Sequence, residues 1–494
     1  MNNTQSPLPK GWIWTTLGEV SLDPQYGWTT KAVEDGTLHI LRTTDITSGQ
    51  IDWRNVPYCL DEPPVKEKYL LKDGDVVISR AGSVGYSHLI KNPKSAVFAS
   101  YLIRFRPIIN EQFFAYFLKS PPFWQAISEK SVGIALQNVN ASKLRQIVIP
   151  IAPLPEQHRI VTKIEELFTQ LDAGVASLKK VQAQLKRYRQ AVLKAAFEGR
   201  LTQEWREQHK GEIEPADVLI DKIKQERSKK ITKNRDSVID IDVSSLPQLP
   251  EFWSWAKFGE LFLVKPGGTP SRSVTEYWGG SIPWVSSGEV ANCLISETNE
   301  SITKIGVENS NAKLNPVGTV LLAMIGEGKT RGQTAIMTIE AATNQNVAAI
   351  RCPDTPISSK YIFYWFLKNY NDNRRKGSGG MQQALNARII SEMVFPLPPL
   401  SEQPEIILEI ERHFSQIDHL DQTITTSLRQ AETLRQSILK RAFEGKLVPQ
   451  DPNDEPASIL LERIKAEKAH HTAEAKKGKT LQPKSPKRRL PNGN

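Results

Sequence analysis

The chain has 494 residues, 39% of them hydrophobic, and carries 64 lysines and arginines against 54 aspartates and glutamates, a net charge of +10. At roughly 150 residues per domain, that length calls for about three domains, each able to bury its own core. No run approaches the ~18 apolar residues of a membrane span, and the opening MNNTQSPLPKGW lacks a signal peptide's apolar core. The three separated cysteines (Cys59, Cys293, Cys352) form neither a disulfide framework nor a zinc site, so a cytoplasmic chain without membrane contact is expected.

Residues 1–152 read as a first globular domain. It opens with Leu8-Pro9 followed by Trp12 and Trp14, contains β-rich runs such as Asp75–Arg80, and ends with a helix around Glu111–Lys119. Its loops are rich in side chains that reach base edges and phosphates: Tyr26, Trp28 and Thr29; Arg42, Thr43 and Thr44; Arg80 and Ser83. A polar cluster before the next junction adds Gln137 and Asn138 as candidates, while Asn140 reads equally as a helix cap. Taken singly, each of these residues is also normal content of a solvated loop.

Residues 153–227 read as helical. After Pro153-Leu154-Pro155-Glu156-Gln157, an apolar heptad pattern runs through Ile164, Leu171, Leu178, Leu185 and Val192, with Gly174, Val181 and Tyr188 at the intermediate steps. It stops at Ala196-Phe197-Glu198-Gly199, a helix of about 42 residues and ~60 Å. A charged linker, 228–248, follows.

The same plan then repeats. Leu249-Pro250, Trp253 and Trp255 open a second globular domain over 249–398, with a strand in Gly318–Met324 and a helix around Ser359–Asn369. The paired tryptophans read as core anchors. The candidate contact residues are Thr269, Arg272, Ser286, Ser287, Lys329, Thr330, Arg331, Gln333, Arg374, Arg375, Lys376, Gln382 and Gln383, and Asn386 is the counterpart of Asn140. Residues 399–468 form the second helical segment, with Pro399-Leu400-Ser401-Glu402-Gln403 at its start, Ala442-Phe443-Glu444-Gly445 at its end, and a seam of Ile410, Ile417, Ile424, Leu434 and Ile438. The tail, 469–494, is basic and expected to be disordered. The last 19 residues hold seven lysines and arginines and no acid, so the bulk charge says little about partners.

Both pairs of motifs flanking the long helices are offset by 246 (399 − 153 and 442 − 196), so the helices are equal in length while their sequences diverge. A seam this long needs cover, and the other copy in the same chain is the nearest partner. An antiparallel pair, with the globular parts related by a pseudo-twofold axis, is preferred to a parallel one. The alternative is that each seam binds another protein's helix, making the chain a coiled-coil adaptor without DNA contact. A third reading, a nucleotide-binding enzyme, rests on Ala323–Thr330. That segment lacks the following helix whose N-terminus would face phosphates, since Arg331–Thr338 reads as turn and strand. No methyltransferase tetrapeptide, nuclease carboxylate cluster or activated nucleophile appears, so no catalytic centre is expected.

On these motifs, the equal helices and the Leu-Pro-x-x-Trp openings, the chain to about residue 465 resembles the specificity (S) subunit of type I restriction-modification systems. The resemblance implies an α/β (mixed) fold class: two target recognition domains, each reading one half of a split double-stranded DNA target, separated by two long antiparallel coiled-coil helices. It implies docking of two modification (methyltransferase) subunits that hold S-adenosylmethionine, and of two restriction subunits that use ATP and Mg, in DNA methylation and defence against foreign DNA. The chain itself would hold no cofactor and no metal.

Overall fold

The computed structural model describes residues 7–130, 138–230, 242–326, 328–375 and 384–480. Two helices dominate it, Leu154–Phe197 (44 residues) and Gln403–Phe443 (41 residues). Each starts at a Pro-rich junction, where a missing N–H costs nothing in the first turn. Each closes on a glycine in the left-handed region, Gly199 at φ +68° and Gly445 at φ +66°. The Arg200 amide reaches the Ala195 carbonyl (2.9 Å) and the Lys446 amide the Arg441 carbonyl (2.8 Å), a helix ending that favours glycine.

The chain folds as two compact units, one drawn from residues 1–178 and 425–494, the other from 179–424. Each unit therefore takes the beginning of one long helix and the end of the other. In unit 1, Ile160 and Ile164 share a core with Ile438, Leu439, Ala442 and Phe443, so the two helical segments run antiparallel there. In unit 2, Val192, Leu193, Ala196 and Phe197 share a core with Ile406, Ile410 and Ile417 in the same antiparallel sense.

The two compact units are therefore not the two sequence copies. The short helix Ala216–Lys230, which follows the first long helix, packs Leu219, Ile220 and Ile223 among Trp253, Phe258 and Leu261 of the second globular domain. The helix Ala457–Thr480 packs Leu461 and Ile464 with Trp12 and Leu17 of the first. The physical reason is length: a helix of 44 residues, ~66 Å, carries the chain out of the unit in which it begins.

In unit 1 an antiparallel four-stranded sheet has the order Gln25–Tyr26, Leu102–Phe105, Val76–Ser79, Ser87–Leu89. A second sheet has the order Ala32–Val33, Tyr58–Cys59, His39–Leu41, Ala96–Phe98, the last pair parallel. Unit 2 has a five-stranded sheet built around Val320–Ala323 and a three-stranded one around Trp278–Val285. A two-stranded ribbon ties each domain to its helix start, with Trp14 opposite Pro150 and Trp255 opposite Pro396. The helices Glu111–Phe117 and Ser359–Lys368 bury aromatic faces against the long helices: Phe113 and Phe117 meet Phe443, and Tyr361 meets Phe197.

Ile164, Val192, Ile410, Ile417, Ile424 and Ile438 are buried, and Leu171, Leu178 and Leu185 half-buried. The intermediate steps fall elsewhere than expected. From Leu171 the buried side advances four residues and then three, so half-buried Val175, Gln182 and Arg189 face inward and Gly174, Val181 and Tyr188 are exposed. Leu434, expected in the seam, is likewise exposed because Arg435 takes the inward position beside it. Polar pairs sit in this seam, with Gln182 donating to Asp421 (3.0 Å) in unit 2. The helix from Ala457 runs on to Thr480, into the segment expected to be disordered, while 481–494 lie outside the described residues.

Candidate nucleic-acid interface

The repeated motifs prove to be joints. Glu156 accepts from the Trp12 indole (3.0 Å), and Glu402 from the Trp253 indole (2.7 Å). Gln157 accepts from the Asn110 amide and Gln403 from the Ser358 amide, holding the N-terminus of each domain's aromatic-faced helix. A Cβ on Gly445 would lie 2.3 Å from Pro9 Cγ, and one on Gly199 would lie 2.4 Å from Pro250 Cγ. The Leu-Pro opening of each copy is thus seated on the Phe-Glu-Gly end of the other.

The two buried glutamates differ in their surroundings. Glu402 accepts from Arg206, from Thr202 (2.6 Å) and from Trp253, whereas Oε1 of Glu156 has no hydrogen-bond partner among the described residues. Burial raises the Glu156 pKa above the ordinary carboxylate range, more than the Trp12 indole and Arg159 lower it. A carboxyl whose folded pKa exceeds its unfolded one contributes stability at acid pH that is lost as pH rises through the folded pKa. Glu156→Gln is therefore expected to melt no lower than the parent at neutral pH, with any gain shrinking toward about pH 4. A calorimetric midpoint several degrees lower at neutral pH would contradict this.

On this frame the variable loops of unit 1 converge. The Arg80 amide donates to Tyr101 O (2.9 Å), its carbonyl accepts from the Val139 amide (3.0 Å), and Ala81 pairs with Asn138. The Trp28 amide donates to Phe98 O (2.7 Å) and the Ala99 amide to Leu41 O (2.9 Å), which brings the segments at 26–29, 41–42, 80–83, 99–101 and 138 together. The Arg80 guanidinium lies 4.9 Å from the centre of the exposed Tyr26 ring. Thr29, Thr44, Ser83 and Asn138 are exposed and Thr43 is half-buried. Arg42 is held by Asp45 (2.8 Å), and the Trp28 indole donates to Asp61 O (2.9 Å). Tyr101, 62% exposed beside Arg80, is a candidate that sequence reasoning missed, because an exposed tyrosine has no local pattern separating it from a core one. Gln137 lies outside the described residues.

Unit 2 repeats the frame with different side chains. The Met324 amide donates to Asn346 O (2.8 Å) and its carbonyl accepts from the Leu385 amide (3.0 Å), so Met324 stands where Arg80 does. Its cations come from the following loop and a neighbouring helix. Lys329 is exposed, and its carbonyl accepts from Tyr370 Oη (2.6 Å), to which Arg374 also donates (3.0 Å). The Cβ that Gly332 lacks would lie 3.2 Å from Arg374 Cγ, so the segments carrying Thr330, Arg331 and Gln333 and carrying Arg374 and Arg375 are neighbours. Thr269 donates to Gln345, and Ser286 to Glu289 in a cap that opens the turn containing Ser287. Arg272 is engaged by Glu300 and stacked 3.8 Å from the Trp278 ring centre. Asn140 and Asn386 both act as N-caps. Lys376, Gln382 and Gln383 lie outside the described residues. Among the described residues no group of three or more His, Cys, Asp or Glu is placed to hold a metal ion, and no helix is long and apolar enough to cross a membrane.

Residues 32–187 and 250–430 match the Type I restriction modification DNA specificity domain. The chain belongs to that family. The StySPI specificity subunit of Salmonella potsdam is 26% identical over 494 residues, covering 94% of this chain and 96% of its own. The EcoKI specificity subunit of Escherichia coli (strain K12) is 27% identical over 500 residues, with the same coverage of 94% and 96%. Among solved structures, a chain from work on complex assembly and conformational transition of the type I R-M system aligns with a TM-score of 0.64 at 18% identity, covering 90% of this chain and 100% of its own. The HsdS subunit from Thermoanaerobacter tengcongensis aligns with a TM-score of 0.53 at 17% identity over 90% and 100%. The two matched segments are the two DNA specificity domains of the family; the first includes the unit 1 loops at 41–42, 80–83, 99–101 and 138 and begins after the loop at 26–29, and the second includes the unit 2 cluster.

Proposed function

We propose that this chain reads a bipartite, asymmetric duplex DNA target, one half-site by each recognition domain, and docks two modification subunits and two restriction subunits while carrying out no chemistry itself. The observation that carries this reading is the pairing of a common frame with unlike readers, Arg80 on Tyr26 in unit 1 and Lys329 with Arg374 beside Met324 in unit 2. Two similar but unequal readers suit an asymmetric split site as a symmetric dimer suits a palindrome. S-adenosylmethionine would belong to the modification subunits, ATP and Mg to the restriction subunits, and the cytoplasm would be the place of work.

The test is genome-wide adenine methylation in cells expressing this chain with its modification subunit, against the modification subunit alone. A methylated split motif that depends on this chain is expected. Association of the two proteins without a new motif would favour an adaptor. Adding one heptad to each long helix, ~10 Å, is expected to lengthen the unread spacer by about three base pairs and leave both half-sites unchanged. Altered half-site bases in the same methylation assay would refute the helices' role as a ruler.

A further inference from the structure

Each unit holds an aromatic clamp that none of the repeated motifs accounts for. In unit 1, Phe168 of the first long helix lies beneath the Arg435 guanidinium of the second, 4.4 Å from the ring centre. Asp172, one turn further on, pairs with the same guanidinium. Tyr116 of the recognition-domain helix meets Phe168 edge-on, with centroids 5.8 Å apart at 88°. In unit 2, Phe414 lies beneath Arg189 at 4.5 Å, Asp418 pairs with that arginine, and Tyr364 meets Phe414 edge-on at 5.8 Å and 89°. Phenylalanine, aspartate and arginine are each offset by 246 between the units, and the tyrosines by 248 (364 − 116).

This clamp adds direction more than stability. The Asp172 and Asp418 side chains are 63% and 66% exposed, so their ion pairs are screened by solvent and stabilise little. A planar guanidinium on one side of a ring and a tyrosine edge on another nevertheless fix how that ring is turned, because both contacts depend on angle. The ring is the point where the recognition-domain helix, one long helix and the arginine of the other long helix meet. The domain also meets the start of its long helix through the Trp12–Glu156 and Asn110–Gln157 hydrogen bonds, while contacts further along, such as Phe113 and Phe117 against Phe443, are apolar and far less directional.

We propose that the two clamps are positioning elements that set the rotation of each recognition domain about its helical segments, and so hold the spacing between half-sites to one value. This rests on the split-target reading above. One base pair of spacer corresponds to ~3.4 Å and about 35° of twist, so a small pivot is enough to admit a neighbouring spacing.

The test sequences methylated DNA from cells carrying the full chain and its modification subunit, with Arg189→Ala, Arg435→Ala, both together, or neither. The expected result keeps both half-site sequences and raises methylation at spacers one base pair longer or shorter by about tenfold, the effect of losing one such contact. Thermal midpoints should stay within about 4 °C of the parent. Arg435→Lys keeps the charge but not the plane and should broaden the spacing as alanine does, and recovery of a single spacer by lysine would overturn the proposal. Tyr116→Leu should broaden it and Tyr116→Phe should not, which tests the clamp without touching the arginine. A split motif whose spacer stays single in every variant, with methylation merely lower, overturns the clamp alone. No split motif with the parent chain would overturn the recognition reading and the clamp's role with it.

Discussion

Arg206→Ala is expected to destabilise unit 2 by about 3–5 kcal/mol, the largest stability effect of any single polar substitution proposed for this chain. The Arg206 side chain is 8% exposed and the Glu402 side chain not at all, and the pair sits beneath the Trp253 ring. Arg206 also donates to the Gly199 carbonyl (2.5 Å), so it joins the end of the first long helix to the start of the second within unit 2. Removing the cation leaves the Glu402 carboxylate buried with Thr202 and Trp253 as its remaining hydrogen-bond donors among the described residues. For a unit of this size the melting midpoint should fall by the order of 10 °C in calorimetry. Adding Glu402→Gln to Arg206→Ala should recover part of the loss, because the uncompensated charge disappears. A loss below about 1 kcal/mol for Arg206→Ala would mean that the pair is solvated, contrary to its burial.

Arg80→Ala is expected to weaken DNA binding by about 1–3 kcal/mol, roughly 5- to 150-fold, and only through the half-site read by unit 1. The guanidinium is aligned on the Tyr26 ring, and the backbone at Arg80 is fixed from both sides by Tyr101 and Val139, so little ordering entropy opposes its use. The measurement is a quantitative titration of the assembled chain and modification subunit on duplexes with either half-site scrambled. Lys329→Ala should show the reciprocal pattern, weakening only the unit 2 half. If Arg80 touches phosphate and not a base, the loss should be uniform across sequences and the salt slope should shrink by about one. Unchanged affinity at both halves would remove Arg80 from the interface.

Much of the fold was legible in the sequence because it is written twice. The equal offsets flanking the long helices, the Pro-rich starts and the glycine ends carry the helices' existence and length, since proline and glycine have strong backbone preferences wherever they occur. Of the paired tryptophans read as core anchors, Trp12 and Trp253 are buried, at 8% and 7% exposed, whereas Trp14 and Trp255 are half-buried. The loop clusters were legible only as composition. Arg42 is engaged by Asp45 only three residues on, but that Arg272 is engaged by Glu300 while Arg80 lies along Tyr26 depends on which loops meet, and loops meet through backbone bonds between distant segments.

By itself, then, the sequence determined the repeat, the two helices, their caps and the absence of a recognisable catalytic motif. Which copy's opening closes on which copy's end was left to the tertiary structure, because Leu-Pro-x-x-Trp and Ala-Phe-Glu-Gly are chemically the same in both copies and either pairing satisfies them. Helix length breaks that tie: Pro9 lies on Gly445 and Pro250 on Gly199 because each long helix ends in the unit where the other begins. The phase of the seam was decided the same way. Leu171, Leu178 and Leu185 fit two heptad phases equally, and the phase adopted, in which Tyr188 and Leu434 are exposed, is the one that brings Gln182 to Asp421, Arg189 over Phe414 and Arg435 over Phe168.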